Sequence, residues 1–168
     1  MIAYILIVMG FMMRVLPHAP NVAPVAAIAL FSGAYLNKKL VPWVPLIIMA
    51  ASDLIIGLHS VVAYTWGSFI IIGYIGMWLG KHKTPGFIAL ASIGSALLFF
   101  VISNFGVWLS WYPHNVDGFI ACYVNAVPFL RNTMASNLIF TFVLFGAYEL
   151  AGKLVKDGKF RDVLLVRG

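Results

Sequence analysis

The chain has 168 residues, of which 62% are hydrophobic and 10% charged, with a formal net charge of +6 and a mean hydropathy of +0.99. A water-facing domain carries about 25% charged residues, so the composition excludes a soluble globular protein and predicts a single integral membrane domain over residues 1–168. The basic balance does not point to nucleic acid, because the lysines and arginines cluster at the ends of apolar runs, where they anchor to headgroups and set topology.

In chain order, the apolar runs predict an all-α membrane protein of six transmembrane helices. Met1 to Met13 lacks the basic n-region and small-residue cleavage site of a signal peptide, so helix one is read over Ile2–Leu16. Pro17-His18-Ala19-Pro20-Asn21 forms a turn, because proline blocks helix continuation. Helix two follows over Ala23–Leu36 and stops at Asn37-Lys38-Lys39. Both are short against the roughly 20 residues a crossing needs, so the bilayer thins around them, they extend further, or they pack partly inside the protein. Helix three is expected over Val44–Leu58, helix four over Val61–Leu79, helix five over Gly86–Val107 and helix six over Thr133–Leu150. Trp108 to Asn132, between helices five and six, is too polar for a crossing and reads as a short helical or re-entrant outward segment, tolerated where it packs on protein or lines a wet cavity.

Lys38-Lys39, Lys81 with Lys83, and the tail of Lys153, Lys156, Lys159 and Arg161 all fall on one side of this threading, leaving only Arg14 and Arg131 opposite. Cytoplasmic loops retain Lys and Arg, so both termini are expected in the cytoplasm of a bacterial cell, with the chain multi-pass in its inner membrane. The polar residues of chemical interest then gather at the outer face.

Each of these residues has a structural and a functional reading. Asp53, in the outer half of helix three, is costly in lipid and faces a partner or a cavity; it pairs with Arg14, or it contacts a ligand. Arg14 snorkels to headgroups or turns inward, near His18 and Asn21. Asn104 satisfies a neighbouring helix or reaches a solute. Trp108, Trp111 and Tyr112 form an aromatic belt or a stacking cage. Cys122, the one cysteine, is an inert small hydrophobe or a thiolate ligand to the metal of a bound cofactor. Arg131 and Asn132 open helix six, where the dipole favours an anion, with Thr133 as the alternative cap. His18, His59, His114 and Cys122 have no close pair with metal-ligand spacing, so no protein metal site is expected. Ala23 with Ala27, and Ala29 with Gly33, make small-residue faces on helix two, for internal packing or for a membrane partner.

No nucleotide-binding or hydrolase motif is present. The leading expectation is therefore a non-enzymatic, solute-binding subunit for uptake. The alternative is a membrane enzyme acting on a lipid or quinone at the outer interface, with Asp53 or His114 as acid–base group and Cys122 as nucleophile.

The blocks Arg14-Val15-Leu16-Pro17-His18-Ala19-Pro20-Asn21-Val22-Ala23-Pro24-Val25-Ala26-Ala27, Ser52-Asp53, Ser103-Asn104-Phe105-Gly106-Val107-Trp108, and Cys122-Tyr123 leading to Val127-Pro128-Phe129-Leu130-Arg131-Asn132-Thr133 resemble an uncharacterised bacterial family of small proteins expected to act in membrane transport. The resemblance runs from Arg14 to Glu149. Six helices in so short a chain also resemble the substrate-binding S-components of energy-coupling-factor (ECF) vitamin transporters. That resemblance implies capture of a vitamin-like solute from outside. It also implies coupling to ECF transmembrane and ATPase subunits through small-residue faces. Some members of that superfamily that take up cobalamin are thought to bind its cobalt through a cysteine, which makes Cys122 the counterpart here and a corrinoid such as cobalamin one expected cargo.

Overall fold

The computed structural model describes residues 1–17 and 22–155. They form six α-helices and one 3₁₀ turn: α1 (Ile2–Val15), α2 (Val25–Tyr35), a 3₁₀ turn (Lys38–Leu40), α3 (Trp43–Ile56), α4 (Val62–Leu79), α5 (Pro85–Trp111) and α6 (Val116–Leu154). The segments Lys38–Ile56, Val62–Leu79, Pro85–Trp111 and Val116–Leu154 are long and apolar enough to cross a membrane; α1 and α2 are apolar but shorter. Large apolar side chains cover the exterior, among them Ile47, Leu54, Ile55, Val124 and Ile139. Exposure on that scale suits lipid rather than water, and the protein is a multi-pass membrane protein.

α2 occupies the centre. Ala27, Ile28, Ala29, Leu30 and Phe31 are all fully buried. A helix that is apolar all round is stable only when surrounded, and 11 residues rise only about 16 Å. Of the three accommodations open to this short run, packing within the protein is the one adopted.

Small residues bring α2 against α4. A Cβ added at Gly33 would meet Gly73 O and sit 2.8 Å from Met77 N; one at Gly76 would meet Leu30 O, and one at Gly80 would lie 2.9 Å from Ala34 O. Such contacts between backbones are the role of small residues in membrane helix pairs. The faces containing Ala27, Ala29 and Gly33 are therefore occupied inside the bundle.

The expected outward segment between helices five and six is corrected. α5 continues to Trp111, and α6 begins at Val116 and runs through Pro128 for 39 residues. The turn is only Tyr112 to Asn115, and Asn115 caps α6 by accepting from Gly118 N–H at 2.8 Å. Gly118, Cys122 and Ala126, four residues apart, are buried, Gly118 beside Pro113 of the turn and Cys122 against Asn104 of α5, with Tyr123 Oη donating to Val101 O at 2.7 Å. Proline is tolerated inside membrane helices, where neighbouring helices and side chains serve the freed backbone groups.

Candidate functional site

At one end of the bundle α1, α3 and α4 converge on Asp53, which is only 1% exposed. Arg14 Nη2 donates to Asp53 Oδ1 at 2.8 Å and Arg14 Nε to Ser52 Oγ at 2.7 Å. Trp66 Nε1 donates to Asp53 Oδ2 at 2.9 Å, and His59 Nε2 lies 4.0 Å from that oxygen. Ser52 in turn donates to Ile48 O at 2.7 Å. Both carboxylate oxygens are thus served, as a buried charge requires. Of the two readings for Asp53, the pair with Arg14 is formed; Arg14 turns inward rather than snorkelling, and its side chain is 16% exposed.

Arg14 also roofs the first of three cavities that share walls. This one, of about 140 Å³, is lined by Ala23, Val25 and Ala26, by Phe69 of α4, Phe99 of α5, and Thr133 and Asn137 of α6. The second, of about 190 Å³, shares Phe99 and Thr133 and adds Thr65, Ser103, Asn104 and Phe129. The third, of about 310 Å³, shares Asn104 and Phe129 and reaches Tyr112, Cys122 and Asn125. A separate notch of about 340 Å³ lies at the hairpin tip beside Trp108, His114 and Phe119.

Four of the expected site residues, Arg14, Asn104, Tyr112 and Cys122, line this row, and Asp53 holds Arg14 in place. Asn104 Nδ2 donates to Phe100 O at 2.8 Å, within its own helix. Cys122 is 2% exposed, and its Sγ donates to Asn104 O at 3.4 Å. Trp108 is not in the row: its Nε1 bonds Pro113 O at 3.0 Å across the turn. Trp111 is 66% exposed and suits the belt. Arg131 and Asn132 do not open a helix but lie in the middle of α6, so the proposed anion site at a helix N-terminus does not exist there. Thr133 is no cap either; its Oγ1 donates to Phe129 O at 2.9 Å. His18 and Asn21 lie outside the described residues.

Sequence reading missed Trp66, Phe69, Phe99 and Asn137. A signal for the last was present: Thr133, Asn137 and Thr141 recur every fourth residue in an apolar run. All three are buried; Asn137 Nδ2 donates to Ser92 O of α5 at 2.9 Å, and Thr141 Oγ1 lies 3.4 Å from Ser92 Oγ. Among the described residues no group of three His, Cys, Asp or Glu side chains could hold a metal ion. The groups of the enzyme alternative are each bonded elsewhere: Asp53 to Arg14, His114 to Leu109 O at 3.0 Å, and Cys122 to Asn104 O.

At the opposite end of the bundle Phe31, Tyr35, Phe145 and Tyr148 form an aromatic cluster, with ring centroids 4.3 to 5.7 Å apart. Tyr35 Oη donates to Glu149 Oε1 at 2.5 Å. Lys83 Nζ sits 3.8 Å from the same oxygen and 4.4 Å from the Tyr35 ring centre.

A helical membrane protein with a buried ion cluster over a row of part-polar cavities is the class these features define. The chain belongs to DUF6580, a family of unknown function, over residues 1–158. No curated protein and no solved structure matches it.

Proposed function

We propose that this protein is a solute-binding subunit for uptake, comparable in architecture to an ECF S-component. The row of cavities carries the reading. Its walls combine an apolar floor with a few placed polar groups, the usual make-up of a small-molecule site. The row lies towards the end of the bundle away from Lys83, where it reaches Tyr112, whereas the lysine end is packed with aromatic rings. That asymmetry is what one state of an alternating-access cycle requires.

In this reading the lysine end faces the cytoplasm of a bacterial inner membrane and all six helices lie within the bilayer. Both termini are cytoplasmic. α5, at 27 residues, is about 40 Å long against a hydrocarbon core of about 30 Å, so the α5–α6 hairpin projects on the outer side and shields the entrance. Energy comes from ATPase and transmembrane partners that bind faces other than the small-residue side of α2. A corrinoid exceeds a drug-sized ligand, whose sites span about 300–1,000 Å³; it would have to part α5 from α6 at Cys122, whereas a small solute needs no such opening.

Two measurements test the reading. Mass spectrometry of protein purified from a rich medium should find a co-purifying small molecule. A membrane-impermeant maleimide applied to whole cells should leave a cysteine at Lys81 unlabelled in a Cys122→Ser background. Labelling of that cysteine from outside would turn the cavity row towards the cytoplasm and end the uptake reading.

A further inference from the structure

We infer that the cavity beneath Arg14 takes an uncharged, single-ring solute that donates a hydrogen bond to Asn137. The inference rests on the uptake reading and narrows its substrate class.

Charge supplies the first argument. Arg14 is the only ionised residue among the described residues lining this cavity, and Asp53 balances it at 2.8 Å. A charged ligand entering there would lose its hydration and meet no net opposite charge.

The second argument is an unmet hydrogen bond. Asn137 is 2% exposed, and its Nδ2 is used by Ser92 O. Its carbonyl Oδ1 has no partner among the described residues. A buried acceptor left unpaired is costly, and native structures seldom leave one without a reason. This residue lines the cavity, so an occupant bearing an N–H or O–H can meet the need.

Size and shape supply the third. The cavity holds about 140 Å³, close to the roughly 150 Å³ that admits a benzene ring. Phe69 and Phe99, stacked with centroids 5.0 Å apart and planes 22° from parallel, both line it, so an aromatic ring has aromatic neighbours to pack on.

The test uses the full chain in lipid nanodiscs, with empty nanodiscs correcting for partition, and three probes on one ring: benzamide, methyl benzoate and benzoate. Calorimetry should show saturable benzamide binding about tenfold tighter than either other probe, the factor one hydrogen bond supplies. Asn137→Leu should remove that advantage and leave methyl benzoate unchanged. The wild-type series decides the matter even if the variant fails to fold. Equal binding of amide and ester would make the cavity merely apolar, and a preference for benzoate would make Arg14 an anion receptor; either overturns the inference. Binding of none of the three also overturns it, leaving Asn137 to an ordered water. If a charged or multi-ring solute then co-purifies, the substrate class falls and uptake survives; if nothing co-purifies either, both fall.

Discussion

Where α2 meets α4, backbone touches backbone; where α5 meets α6, hydroxyl and amide side chains stand between the helices and cavities remain. On the first side Gly33, Gly76 and Gly80 leave no space for a methyl group. The ion cluster of Arg14, Asp53 and Trp66 ties α1, α3 and α4 together beside it. On the second side Asn137 Oδ1 and Ser95 Oγ are buried without hydrogen-bond partners among the described residues. Close packing and complete hydrogen bonding make the first region a fixed frame. The second gives up packing for space, the exchange expected where a ligand enters and helices move.

The comparison can be broken most forcefully at Asp53. Asp53→Ala leaves the Arg14 guanidinium buried without its carboxylate, which should cost about 3–5 kcal/mol. Denaturation in detergent would show it as a large fall in midpoint. Arg14→Met combined with Asp53→Leu should recover much of the loss, since an apolar pair of similar volume needs no compensation. A single variant as stable as the wild type would place the charge in water and remove the cluster from the frame.

Gly33→Ala comes next. The added methyl meets backbone rather than a flexible side chain, so the helices must separate, at about 1–3 kcal/mol. Gly94→Ala on α5, where a Cβ has nothing within 4 Å, should change stability by no more than about 0.5 kcal/mol. Equal effects at the two glycines would erase the contrast between the two sides.

Tyr35→Phe removes the hydroxyl from Glu149 at the closed end while keeping the ring among Phe31, Phe145 and Tyr148. The loss should be about 1 kcal/mol, that of one hydrogen bond. If this contact latches the aromatic cluster, a cysteine introduced at Leu144 in a Cys122→Ser background should become more reactive to thiol reagents in the Tyr35→Phe protein. Unaltered reactivity would leave the contact a stabilising bond without a gating role.

Much of the frame was legible beforehand. Prolines and lysines marked the helix ends, and Asp53 in an apolar run demanded a partner, with Arg14 among the choices. The expected outward segment was misread because the polar residues between Trp108 and Asn132 were taken as too polar to lie in a crossing helix. The bonds that Cys122 and Tyr123 make to Asn104 O and Val101 O of α5 exist only in three dimensions. Asn137 escaped notice for a related reason. One amide in a helix of 39 residues carries no motif, and its unpaired carbonyl is a property of three dimensions. Trp66 was hidden likewise, since nothing in Tyr64-Thr65-Trp66-Gly67 announces that its indole reaches a carboxylate on another helix.

The smallest effect expected has the opposite sign. Ser95 is fully buried, and among the described residues its hydroxyl has no hydrogen-bond partner, unlike that of Ser103, which donates to Phe99 O. Ser95→Ala removes a desolvated, unpaired group, leaves only a small void and raises helix propensity. Stability should therefore rise, by up to about 1 kcal/mol, where every change on the α2–α4 side lowers it. Thermal unfolding of wild type and variant in the same nanodiscs measures the difference. A loss instead would mean that an ordered water or solute already bonds Ser95, placing a wet site deeper along α5 than the three cavities reach. A gain would mark this seam as one whose polar groups are retained at the expense of stability, as a path for solute would require.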